Sequence, residues 1–153
     1  MSVTSRRWLG LLGAGALSAL VAWAPARAAA PAGRYMVTAG TVYDTKTKLT
    51  WQQTVSSATY QWNAANNLCF GLGSALPGTG WRLPTIKEIQ TLVDFTVKSA
   101  PYVDQGAFPA TPIVSFWSAT PVSSSSGNIW LLQDDGTTAN DNSAQSYHVR
   151  CVH

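Results

Sequence analysis

Residues 78–89 read Gly-Thr-Gly-Trp-Arg-Leu-Pro-Thr-Ile-Lys-Glu-Ile, and the period of the chain changes inside that run. Trp81-Arg82-Leu83 alternates large apolar, charged and large apolar residues, the pattern of a short strand. Pro84 fixes φ and ends the strand. Thr85 and Glu88 stand at capping-box spacing, so each side chain can satisfy a free N–H of a starting helix. Ile86, Ile89, Leu92 and Val93 continue at helical spacing, which predicts a helix from Ile86 to about Val97. Trp81, Arg82, Leu83, Pro84, Thr85 and Glu88 therefore read as a structural motif. Arg82 either pairs with Glu88 or holds loop carbonyls, and neither use requires a cleft.

The segments on either side are short. Tyr35–Thr38, Thr41–Asp44 and Leu49–Gln53 have the composition and length of strands, with turn residues at Gly40 and across Asp44–Lys48. From Tyr60 to Leu72 the period is helical, with Trp62, Ala65, Cys69 and Leu72 on one face. A long connection, Lys98–Pro112, is punctuated by Pro101, Pro109 and Pro112. Its apolar residues Tyr102, Val103 and Phe108 suit a loop packed on the body. Strands follow at Ser115–Thr120 and Asn128–Gln133. Asp134-Asp135-Gly136 is a hairpin signal, and Tyr147–Val152 alternates with Tyr147, Val149 and Cys151 on one face. Strands, two helices, a long loop and more strands make an α+β domain.

The first 28 residues stand apart from this pattern. Arg6 and Arg7 precede an uncharged apolar run from Trp8 to Ala24. Ala26-Arg27-Ala28 is a small-x-small cleavage site, so residues 1–28 read as a secretory signal peptide, with Ala26 as the alternative cut. The paired arginines also permit twin-arginine export, but Gly10 stands where that signal has a second apolar residue, which favours the general route. Residues 29–153 are then one exported domain, periplasmic or secreted, with no membrane span after cleavage. The net charge of +3 belongs to the leader: ten Lys and Arg less Arg6, Arg7 and Arg27 leave seven, against seven Asp and Glu. No basic track for nucleic acid remains.

Cys69 and Cys151 are the two cysteines. An even count in an oxidising compartment predicts a bridge from the first helix to the last strand. Free thiols or a metal pair are the alternatives, and the lack of a CxxC and the presence of only two histidines weigh against the second.

Six motifs occur in order: Val42-Tyr43-Asp44, Leu49-Thr50-Trp51-Gln52, Gly80-Trp81-Arg82-Leu83-Pro84-Thr85 with Glu88, Phe108-Pro109-x-Thr111-Pro112, Phe116-Trp117-Ser118, and Val149-Arg150-Cys151-Val152. As a set they resemble the Lcl C-terminal domain family, exported bacterial domains named after a collagen-like adhesin. The resemblance implies a C-type-lectin-like fold in the variant shared with formylglycine-generating enzymes. That fold pairs the N- and C-terminal strands and hosts any site in a long loop region. It implies ligand binding more than catalysis. The adhesin member binds sulfated glycosaminoglycans and assembles as a trimer; this chain has neither a collagen-like region nor a basic surplus.

Three chemistries compete. A formylglycine-type mechanism needs two adjacent reactive cysteines, and a bridge would consume both thiols; His148 and His153 then have no Cys nucleophile to activate. No GxSxG elbow supports a serine nucleophile. The chain is therefore read as a non-enzyme without catalytic residues or cofactor, the alternatives being an enzyme with a site hidden from sequence or a purely structural envelope protein. For calcium, the lectin tripeptides Glu-Pro-Asn and Gln-Pro-Asp are missing. Asp134, Asp135 and Asp141 could still offer hard oxygens, although Asp is also a common turn former. The third reading is a surface for a glycan or protein partner. Trp117 and Trp130 supply rings. Asn128, Gln133, Asn140 and Asn142 supply amides that both donate and accept, and Tyr147 adds an amphipathic ring. Against this, both tryptophans could fill the core.

Overall fold

A computed structural model of the protein describes residues 30–72 and 75–153. The expected leader, residues 1–28, lies outside the described residues. The capping box forms as its spacing requires. Glu88 N donates to Thr85 Oγ1 at 3.2 Å, and Thr85 N donates to Glu88 Oε2 at 2.7 Å. Glu88 also accepts both guanidinium nitrogens of Arg82, at 2.8 and 2.7 Å, while Arg82 Nη1 reaches the Leu83 carbonyl. Both uses foreseen for Arg82 are therefore realised, and one carboxylate links the strand-like run to the helix start.

The element order is β1 (Tyr35–Thr38), β2 (Thr41–Asp44), β3 (Leu49–Gln52), β4 (Tyr60–Gln61), α1 (Trp62–Gly71), α2 (Ile86–Gln90), β5 (Phe116–Pro121), β6 (Asn128–Leu132), β7 (Thr138–Asn142) and β8 (Ser146–Tyr147). All named strand pairs are antiparallel, in sheets ordered β1-β2-β3, β4-β8 and β5-β6-β7. This is the α+β domain expected from the sequence.

Helix α2 is shorter than its apolar spacing predicts. It ends at Gln90 and not near Val97. Thr91, Leu92 and Val93 close tight turns onto Glu88, Ile89 and Gln90, and Asp94 N then donates to the Tyr102 carbonyl at 2.8 Å. The long connection thus takes over the backbone partner that a further helical turn would have used. The β-branched Thr91, Val93, Thr96 and Val97 offer little helix propensity to resist it.

The expected strand Tyr147–Val152 is also corrected. Only Ser146–Tyr147 forms a named strand, against β4. His148 bridges to Phe116, and Val152 bridges to both Trp51 and Arg82. The C-terminal segment is a tie shared among β3, β5 and the central motif. Its alternation still holds. Tyr147, Val149 and Cys151 join one apolar cluster with Ala65, Cys69, Trp81, Leu83, Trp117, Ile129 and Leu131. Val152 joins a second cluster with Val42, Trp51, Ile89, Phe108, Phe116 and Leu132. Strands β5 and β6 divide the same way: Trp117 pairs with Leu131 in the first cluster, and Phe116 pairs with Leu132 in the second. The β5–β6 ribbon therefore has a core on each face.

Covalent and ionic ties close this body. Cys69 and Cys151 are joined, with Cα atoms 5.5 Å apart. Arg34 pairs with the buried Asp44 at 3.0 Å and donates to the Thr91 carbonyl at 2.6 Å, linking the first sheet to the end of α2. Arg150 is buried without an ion pair among the described residues. Its guanidinium donates to the carbonyls of Gln52 and Gln53 and to Thr111 Oγ1, and lies 4.6 Å from the Phe108 ring centroid. Burial lowers its pKa to about 9, so it remains a cation at neutral pH.

Candidate functional site

The β6–β7 hairpin carries most of the proposed binding residues, and its register sorts them. Asn128 pairs with Asn142, Trp130 with Asn140, and Leu132 with Thr138. Directly paired residues share a face, so Asn128, Trp130, Asn140 and Asn142 lie together. Asn140 and Asn142 are exposed, and Asn128 and Trp130 are half-buried. Asn128 Nδ2 donates to Asn140 Oδ1 at 3.0 Å, which orients both amides. Asn142 Oδ1 accepts from Ala144 N. Asn140 Nδ2, Asn142 Nδ2 and Asn128 Oδ1 make no hydrogen bond among the described residues, leaving two donors and one acceptor on the face.

Helix α2 borders this face. Ile86 N donates to Thr120 Oγ1 on β5, and Val93 and Phe95 lie against Gly136 at the hairpin turn. Gly136 has φ +83°, and a Cβ there would come within 2.9 Å of Val93 Cγ1 and 3.0 Å of Phe95 Cε1. Phe95 is nonetheless 72% exposed. Beside it, Val93, Tyr102, Pro112, Leu132 and Asp134 line a narrow, mostly apolar cleft between the long connection and the hairpin. Sequence reasoning does not single out Phe95, because a helix continued to Val97 would make it one more helical residue.

The other proposed residues go elsewhere. Trp117 is fully buried and donates its indole N–H to the Tyr60 carbonyl at 2.8 Å; it belongs to the core and not to an open face. Tyr147 sits on the opposite side of the hairpin from Trp130. It meets Trp117 edge-on at 4.9 Å and donates to Asp141 Oδ2 at 2.7 Å, a bond that raises its pKa. Gln133 lies past the end of β6, where its Oε1 accepts from Thr137 Oγ1. Asp134, Asp135 and Asp141 do not converge. Asp135 holds Thr137 at the turn, Asp141 holds Tyr147 and the Asn142 amide, and no group of three His, Cys, Asp or Glu suited to a metal occurs among the described residues. His148 Nδ1 is 3.1 Å from the Ser56 backbone carbonyl, and His153 meets Trp81 edge-on at 4.5 Å.

The six sequence motifs run from β2 to the C-terminal segment, and the Lcl C-terminal domain family matches residues 40–153. The chain belongs to that family. In this Lcl C-terminal domain the matched span begins just after β1 and includes the central motif, both cysteines and the whole β6–β7 face. No curated protein matches the chain. Family and disulfide together fit an exported protein. Among the described residues no helix is long and apolar enough to cross a membrane.

Proposed function

We propose that this Lcl C-terminal domain is an exported, non-catalytic recognition module, periplasmic or secreted, that binds a glycan or an envelope partner through the β6–β7 face. The observation that carries this reading is the placement of Trp130 beside three amides with unused hydrogen-bonding atoms. A half-exposed indole offers a flat apolar surface, and the amides offer donors and acceptors around it. The face itself is pre-ordered: β6 is paired on both sides, with β5 and β7, and the Asn128–Asn140 bond fixes two of the amides. Rigid support lowers the ordering cost of binding. A lectin-like fold, as the family resemblance implies, accords with this use. The enzyme alternative finds less support at His148, whose imidazole faces a carbonyl and not a carboxylate.

The test is a glycan and envelope-protein binding screen of the purified, disulfide-intact protein, with and without calcium. Binding that weakens in Trp130→Ala and Asn140→Ala supports the reading. Binding indifferent to both substitutions, or none to any class, overturns it.

A further inference from the structure

We propose that β1 is a self-pairing edge: two copies of this chain join through it as a two-fold antiparallel strand pair centred on Met36. The proposal is independent of the recognition reading above.

The edge is open and unguarded. β1 pairs only with β2. Thr45 N donates to the Arg34 carbonyl in the register of the hairpin, so the bonded pairs are Arg34–Thr45, Met36–Tyr43 and Thr38–Thr41. The N–H and carbonyl groups of Tyr35 and Val37 then point away from β2, and no hydrogen bond from elsewhere reaches them among the described residues. The chain before the strand does not cover them. Gly33 turns at φ +78°, Arg34 N closes on the Pro31 carbonyl, and Ala30 N reaches back to Asp104 Oδ2 at 2.7 Å. Met36 and Val37 are 58% and 49% exposed. Residues 35–40 carry no charge and no proline, the usual guards of an edge. The other edges are guarded. The C-terminal segment covers β3, and β5 bonds to His148 and Pro84. β7 carries Asp141 between two asparagines, and β4 and β8 have two residues each.

A second copy fits this edge in one register. The extended run is bounded by Gly33 and by Ala39, at φ +78° and +45°, so Tyr35 and Val37 are its outward pair. Setting Tyr35 opposite Val37 of the second copy uses both residues on each strand and makes four backbone hydrogen bonds. A shift of two residues either way sets Val37 opposite Gly33 or Tyr35 opposite Ala39, and neither of those is extended. In the favoured register Met36 meets its own mate across the two-fold axis, so an apolar side chain more than half exposed is buried against an apolar one. Arg34 falls opposite Thr38, so no like charges face each other. Ten Lys and Arg less the three in the leader equal the seven Asp and Glu, so two copies approach without net repulsion. A cavity of about 220 Å³ adjoins Tyr35 and Val37, bounded also by Pro31, Asp104 and Ala107 and by no β2 residue among those described. Tyr35 and Val37 of the second copy project to the same side, where they cover it. The contact is short, so the association should be weak and concentration-dependent.

Sedimentation equilibrium of the exported, disulfide-intact protein should show a monomer–dimer equilibrium with Kd of roughly 10 µM to 1 mM. Val37→Pro removes one outward N–H and leaves the bonded pairs with β2 in place. Val37→Lys puts a charge on the edge. Each should weaken the dimer by roughly tenfold or more, with thermal unfolding checking that each variant folds. Cross-linking reads the register. Met36→Cys sets Cα atoms about 4.5 Å apart across the axis, within disulfide reach, so mild oxidation should give a covalent dimer. Thr38→Cys sets the two cysteines about 13 Å apart along the strands, and they should not join. A protein that stays monomeric to about 1 mM, or a dimer indifferent to both Val37 variants, would overturn the proposal. Thr38→Cys joining as readily as Met36→Cys would overturn the register. A stoichiometric complex with a different protein that is lost in Val37→Lys would assign the edge to that protein and overturn self-pairing.

Discussion

Removing the Cys69–Cys151 bridge should cost this domain a large share of its stability. The bridge closes a loop of 82 positions. In the chain-entropy account, a loop of that size removes about 4.5 kcal/mol of freedom from the unfolded chain. For a domain of this size, 1 kcal/mol corresponds to roughly 4 °C in Tm, so the loss should be about 15–20 °C. Both sulfurs lie in the apolar cluster of Trp81, Trp117 and Leu131, so Cys69→Ala with Cys151→Ala also removes packing and should lie at the upper end. The assay is differential scanning calorimetry of the oxidised protein, the reduced protein and the double-alanine variant. Reduction isolates the loop effect, because the side chains are kept. A reduced protein melting within about 5 °C of the oxidised one would refute the reasoning. It would mean that the C-terminal segment is already held as firmly by Arg150 and the bridges of Val152.

Arg150→Met should destabilise by about 2–4 kcal/mol, read as a shift in the urea midpoint, because the Gln52 and Gln53 carbonyls and Thr111 lose their donor while the apolar replacement still fills the space over Phe108. Gly136→Ala should cost about 1–2 kcal/mol in the same assay, since it combines φ +83° with a Cβ pressed on Val93 and Phe95. Acid should destabilise the fold through Asp44 and Glu88. Burial pushes the Asp44 carboxyl up, but its bonds to Arg34 and Lys46 outweigh this and hold it below its ordinary 3.8; the Arg82 pair, against a smaller opposing effect of burial, holds Glu88 below its ordinary 4.5. Depressed carboxyls contribute fully above the unfolded values and lose that contribution as pH falls through the folded ones. Thermal melts from pH 6 down to about pH 2 should therefore fall most steeply below about pH 4.5, and Asp44→Asn should flatten that fall.

Much of the scaffold is legible in local sequence. The capping box needs only Thr85 and Glu88 three positions apart, and it forms because both partners belong to one turn. The first three strands are bounded by turn residues at Gly40 and Asp44–Lys48, and they appear where those residues place them. Two cysteines leave one pairing to make. Each of these outcomes depends on neighbours in sequence or on simple counting.

The exposure of the β6–β7 face was decided by tertiary structure. Alternation along Phe116–Ser118 and Asn128–Leu132 defines two faces, but it marks neither as outward, because the ribbon carries an apolar cluster on both sides. Trp117 and Trp130 therefore look alike in sequence, yet one is sealed against Tyr60 and Tyr147 and the other borders open amides. The length of α2 was likewise settled at a distance, by the Tyr102 carbonyl meeting Asp94. Local pattern specifies which side chains share a side. Only the packing of the remaining chain determines which side keeps contact with water.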